Sequence, residues 1–182
     1  MNKLLRNIII VVVILGITAF AASYFIKKET KKNSPQDTVE YIDSDLKLKI
    51  VYCQPYKKSR VIFGTEEEKA LQPYGKYWRL GANEATTIET NQDLIFGNKK
   101  LKKGIYGLYA IPGKEVWKFG FNKESNRWGA SEPDYKKDLF SIEVPVSYTN
   151  ESLEQFKIQI TKDEIIFRWD TSEAKLPYKR AE

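Results

Sequence analysis

A chain of 182 residues, with 42% hydrophobic and 30% charged side chains, has the length of one globular domain and excludes two large ones. It holds no histidine and a single cysteine, Cys53, which excludes histidine acid–base catalysis, zinc sites built on Cys and His, and internal disulfides. The net charge of +6 does not mark a nucleic-acid surface, because six of the 30 basic residues flank the N-terminal apolar run and leave 24 against 23 acidic residues from Asn33 onward. No nucleic-acid partner is expected.

Ile8 to Ile26 is a run without charge, and as a helix it reaches roughly 28 Å, close to the hydrocarbon thickness of a bilayer. Residues 1–26 are therefore expected as an apolar helix that meets a membrane through residues 8–26. A cleaved secretory signal is the competing reading, since Lys3 and Arg6 form a charged n-region and Ala19-Phe20-Ala21 a small-x-small cleavage pattern. The apolar character that continues through Tyr24, Phe25 and Ile26 favours a retained anchor. No cysteine follows at a lipidation site, which excludes a bacterial lipoprotein. Lys27, Lys28, Lys31 and Lys32 after the run outnumber Lys3 and Arg6 before it, which by the positive-inside rule favours a cytoplasmic tail; the signal-like n-region favours export. Residues 27–37 are polar, with Ser34-Pro35 as a helix breaker, and are expected as a tether to a domain over 38–182.

The apolar period then changes to two. Leu46, Leu48, Ile50 and Tyr52 share one face, while Lys47 and Lys49 face water. The same alternation returns at 117–121, 140–148, 156–160 and 165–169, with turn signals at Gly97-Asn98, Lys103-Gly104, Pro112-Gly113, Asn150-Glu151 and Lys162-Asp163. Such strands predict an all-β fold, an antiparallel β-sandwich of about ten strands. One short helix is expected where Thr65 caps Glu66 to Leu71, ahead of Pro73-Tyr74-Gly75. Pro145 interrupts its strand, which places it at an edge or a bulge. Cys53 lies out of phase with Leu46–Tyr52 and reads as a packing thiol on the opposite face.

The stretch from Gln72 to Ile88 breaks the alternation and gathers Trp78, Arg79, Asn83 and Glu84 around glycines. It resembles the P-Y-G-x-x-W-R-x-G-A-N-E-A-T signature of a bacterial family, domain of unknown function 2911. The resemblance extends to Ser34-Pro35, to Arg60-Val61-Ile62-Phe63-Gly64, to Gly104-Ile105-Tyr106-Gly107-Leu108-Tyr109-Ala110-Ile111-Pro112 and to Trp128-Gly129-Ala130. Gln54-Pro55, where many members carry Arg-Pro, Ser59 before Arg60, and Ser131 to Tyr135 depart from the pattern. The resemblance implies an exported envelope protein of largely β structure and implies no activity.

Two readings of this segment follow. In one, Arg79 and Glu84 form an ion pair, Asn83 satisfies backbone groups of the tight turn, and the cluster only pins a corner of the sandwich. In the other, Arg60, Arg79, Asn83 and Glu84 form a ligand site with Tyr74 and Trp78 as stacking walls, suited to a sugar or an acidic envelope glycan. Trp128, like Trp78, stands beside glycine and polar residues and is a candidate binding surface, whereas Trp117 and Trp169 are in phase with apolar neighbours and belong to the core. The expected role is non-catalytic binding or structural interaction with a glycan or an envelope protein, on a domain facing the periplasm or exterior. The alternative is a carbohydrate-active or other hydrolase using Glu84, which requires a second carboxylate; Glu89, Asp93 and Asp138 lie on apparent strand exteriors or turns. Phosphate loops, EF-hand loops and a G-x-S-x-G elbow are absent, so neither cofactor nor metal is expected.

Overall fold

The computed structural model describes residues 2–181. Its first unit is helix α1, Lys3–Asn33, solvent-exposed along nearly all its length, with a mean hydropathy of 2.6 over its most apolar window. By length and composition it can cross a membrane, which fits an anchor or an export signal alike. The helix runs well into the segment expected as a tether. Lysine and glutamate are good helix formers, Lys32 pairs with Glu29 at 2.6 Å, and the Asn33 side chain donates to the Glu29 carbonyl at 3.1 Å. Pro35 disfavours helical backbone at Ser34, and β1 begins at Gln36.

The second unit, residues 34–182, is built from strands. These are β1 Gln36–Asp43, β2 Leu46–Cys53, β3 Phe63–Gly64, β4 Gln72–Pro73, β5 Thr87–Thr90, β6 Leu94–Phe96, β7 Lys99–Leu101, β8 Gly104–Ile111, β9 Val116–Asn122, β10 Asp138–Ile160, β11 Glu164–Pro177 and β12 Lys179–Arg180. Seven of them form an antiparallel sheet in the order β1-β2-β5-β8-β9-β10-β11, curled into a half-barrel. The sheet β12-β6-β7 packs inside its curve, where Phe96 meets Phe121 with ring centroids 4.7 Å apart. The antiparallel all-β architecture is the expected one.

Alternation sets the two faces. Leu46, Leu48, Ile50 and Tyr52 of β2 are almost fully buried; Ile50 stands opposite Ile88 of β5 and Ile88 opposite Tyr106 of β8, and on the same inner face Leu108 of β8 stands opposite Phe121 of β9. Trp117 and Trp169 complete this inner face at 1% and 0% exposure.

Three local features depart from the expected ones. The runs 140–148 and 156–160 are one strand of 23 residues, because Asn150-Glu151 forms a bulge with register shifts between Tyr148 and Lys157 instead of a turn. Pro145 sits inside the sheet order, at the residue where the pairing passes from β9 (Val116) to β11 (Ala174 opposite Val146), so its missing N–H falls at a change of partner. Thr65 and Glu68 make the reciprocal contacts of a capping box, Thr65 N to Glu68 Oε2 at 2.7 Å and Glu68 N to Thr65 Oγ1 at 3.3 Å. Only one turn follows, because Lys69 turns left-handed (φ 54°) before a helix can propagate. The short helix of the domain is a 3-10 turn at Tyr135–Lys137.

Candidate functional site

The Gln72–Ile88 segment passes from the inner face of the sheet to the outer one. Trp78 exchanges both backbone hydrogen bonds with Ala110 of β8, each 2.8 Å, which commits its side chain to the interior. There it is 1% exposed, within 4.9–5.9 Å of the rings of Phe63, Trp117, Phe156 and Trp169, and its Nε1 donates to the Gly81 carbonyl at 3.3 Å. Trp78 is thus a core residue and not the stacking wall its polar neighbours imply.

The chain then turns sharply, with positive φ at Leu80, Gly81 and Asn83. Gly81 lies flat on the end of β2: a Cβ there would stand 2.5 Å from the Cys53 carbonyl oxygen, and its φ of 144° is open to glycine. The turn is tied down by Thr86 Oγ1 donating to the Leu80 carbonyl at 2.7 Å and by Asn83 Nδ2 donating to the Ser34 carbonyl at 3.3 Å. Asn83 therefore satisfies backbone, but at Ser34, far away in the chain, and not within the tight turn where its role was expected. Arg79 differs from expectation, because its guanidinium donates to the Asn83 carbonyl at 3.3 Å in place of pairing with Glu84.

Beyond the turn, residues 83–85 pair with 127–129: Ala85 N donates to the Arg127 carbonyl at 3.1 Å and Gly129 N to the Asn83 carbonyl at 2.9 Å. Glu84 and Trp128 stand opposite each other in this bridge, and Trp128 is 39% exposed. Cys53 points to the outer face, as its phase requires, but the turn covers it to 2% exposure. Its Sγ donates to Glu84 Oε2 at 3.7 Å, and burial, followed by the Glu84 charge, pushes the thiol up from its ordinary pKa.

A cavity of about 220 Å³ opens here, floored by Val51, Cys53 and Thr87 of the outer sheet face and bounded by Gln36, Glu84 and the segment 125–127. The loop that roofs it lies close to the sheet at Gly107, where a Cβ would stand 2.3 Å from the Glu124 carbonyl oxygen. Arg127 is fixed over the Tyr77 ring, 5.3 Å from its centroid, donating to the Tyr77 hydroxyl and to the Ser131 carbonyl at 2.5 Å. Tyr77 packs on Tyr109, whose hydroxyl donates to Asp138 at 2.6 Å. Burial, then the hydrogen bond to that carboxylate, drives the Tyr109 pKa far up.

Of the expected site residues, Arg79, Asn83, Glu84 and Trp128 come together. Arg60 does not join them; it is exposed in a turn and donates to the Lys57 and Tyr56 carbonyls at 2.9 and 2.5 Å. Tyr74 lies toward Tyr148, and burial, with a hydrogen bond to that residue, pushes its pKa up to about 12. Glu84 is the one carboxylate among the residues lining the cavity. Glu89 is paired with Lys49, Asp93 with Lys100 at 2.9 Å, and Asp138 accepts from Tyr109 and Asn122. Among the described residues no cluster of three His, Cys, Asp or Glu could hold a metal ion. Sequence reasoning missed Arg127 and Gln36; the one available signal was Arg127's place directly before the Trp128-Gly129-Ala130 motif.

The fold and this corner define a curled antiparallel β domain, preceded by an apolar helix, with a cavity of mixed polar and apolar lining on the outer face of its sheet. Residues 34–178 match the model of the family described as protein of unknown function (DUF2911), and the chain belongs to that family. No curated protein and no solved structure matches it.

Proposed function

We propose that this chain is a membrane-anchored or exported envelope protein whose β domain faces outside the cytoplasm and binds a polar ligand, such as a glycan, without transforming it. The observation that carries the reading is the cavity of about 220 Å³ bounded by Glu84, with the exposed Trp128 opposite that residue. A carboxylate and an indole next to a concave surface that mixes polar and apolar groups are suited to hydroxyl-rich ligands, which present both hydroxyls and C–H faces. Glycoside hydrolysis divides its work between two carboxyl groups, and the single carboxylate of this cavity favours binding over hydrolysis.

The test is a glycan and peptidoglycan-fragment binding screen on the full chain in detergent micelles, repeated with Glu84→Gln and Trp128→Ala. Binding that both substitutions weaken by roughly ten-fold or more is expected. An absence of binding by folded wild-type protein, or turnover of a bound glycan, would overturn the reading. Accessibility of the domain to protease added to spheroplasts, whose cytoplasmic membrane is intact, checks its orientation, and protection there would reverse it.

A further inference from the structure

The half-buried arginines of the domain fall into two groups. Arg168 meets Glu151 and Glu173, each at 3.2 Å, and Arg180 meets Asp43 at 3.2 Å and Asp45 at 2.9 Å. Arg79 and Arg127 are also partly buried, yet among the described residues neither meets a carboxylate. Their donors go to uncharged oxygens, those of Asn83, Ser131 and Tyr77. Glu124, the acid whose charge Arg127 affects, is paired with Lys137 at 2.5 Å.

Both guanidiniums act on the Tyr77 hydroxyl, opposing the upward push of burial on its pKa. Arg79 is itself disfavoured in its charged form, by burial first and by Arg127 among the lesser causes. Packing holds the two in place: the Arg79 stem lies against Gly129, where a Cβ would stand 2.6 Å from its Cδ, and Arg127 rests on Tyr77. Two fixed like charges, partly out of water and without a carboxylate in ion-pair contact, gain when an anion joins them. A guanidinium fork matches the paired oxygens of a carboxylate or phosphate, and several of its five donors remain for such a partner.

We propose that Arg79 and Arg127, with the Tyr77 hydroxyl, form an oxyanion-recognising subsite adjoining the cavity at Arg127, so that the ligand carries a carboxylate or phosphate group. This rests on the pocket-binding reading and deepens it from polar to anionic ligands.

Calorimetric titration of the full chain in detergent micelles with glucose, glucuronate and glucose 6-phosphate tests it. Wild type is expected to bind one of the two anions roughly ten-fold or more tightly than glucose, with affinity falling as salt rises. The anion preferred tells carboxylate from phosphate. Arg79→Met and Arg127→Met should each erase the preference for the anion over glucose, read as the ratio of the two affinities measured on the same variant. Should either fail to fold, Arg79→Lys and Arg127→Lys keep the charge and lose the fork, and are expected to reduce the preference several-fold. Equal affinity for glucose and both anions overturns the anion subsite and leaves the pocket reading standing. A preference that survives all four substitutions overturns the assignment to these arginines. If neither anion binds, the inference falls, and the pocket reading falls with it only if glucose and the glycan panel fail as well.

Discussion

The two faces of the curled sheet are packed by different chemistry. On the inner face Trp78, Trp117, Phe156 and Trp169 meet ring to ring, with centroids 4.9–5.9 Å apart. On the outer face, beneath the segments 77–85 and 123–137, the contacts are directional: Tyr109 to Asp138, Asn122 to Asp138, Arg127 to Tyr77 and Cys53 to Glu84. Apolar burial scales with area and specifies that a chain collapses, whereas hydrogen bonds fix individual groups at set points. The inner face is thus where stability concentrates, and the outer face is where groups are held ready beside a cavity.

The largest effect that could break this contrast is at the tryptophans. Trp78→Ala should cost about 3–5 kcal/mol, while Trp128→Ala should cost under about 1 kcal/mol, both read from urea denaturation midpoints. Similar losses at the two positions would erase the distinction between the faces.

Gly107→Ala comes next. The new methyl would collide with the Glu124 carbonyl and lift the loop roofing the cavity, at a cost of about 1–3 kcal/mol. Hydrogen exchange should show lost protection at residues 123–127 with β2 and β9 unchanged; uniform loss would mean that the loop is not a separable layer.

A smaller effect follows from titration. Burial raises the Cys53 pKa above 9.0 and the Tyr109 pKa above 10.0, so the folded state holds both protons more tightly than the unfolded chain. Their contribution to stability is complete below those ordinary values and is lost as pH rises past them, from about pH 9 upward. Denaturation midpoints measured across this range should fall, and Tyr109→Phe should flatten the alkaline part of the curve. In the folded protein Cys53 should react slowly with a thiol reagent at neutral pH, and rapidly once unfolded.

The smallest expected change is at Lys49→Ala, which removes the pair with Glu89 on the uncovered part of the outer face. Such solvent-screened pairs contribute little, and a clear midpoint shift would show that the outer face also carries stability.

The strands legible from the letters were those with one wet face. Leu46 to Tyr52 announces β2 because Lys47 and Lys49 alternate with it, and the same phase placed Cys53 on the opposite side. Trp117 and Trp169 were legible as core for this reason. Trp78 and Trp128 were not separable, since both stand among Gly, Arg and Asn; only the bridge to Ala110 sends one inward, and only the bridge to Glu84 leaves the other outside. The unbroken course of β10 through Asn150 was hidden too, because a bulge and a turn use the same residue types.

The amino-acid order alone determined the apolar helix, the two-residue period and the sparing chemistry of a chain without histidine, because these follow from composition and local spacing. Which polar groups meet was decided by tertiary structure. Arg79 lies five residues from Glu84 yet donates to the Asn83 carbonyl, and the pair it was expected to form gives way to a neighbouring Arg127, 48 positions on, that no local pattern connects to it. Such encounters depend on how the sheet curls and how its loops fold back over it, and side-chain periodicity carries no record of that.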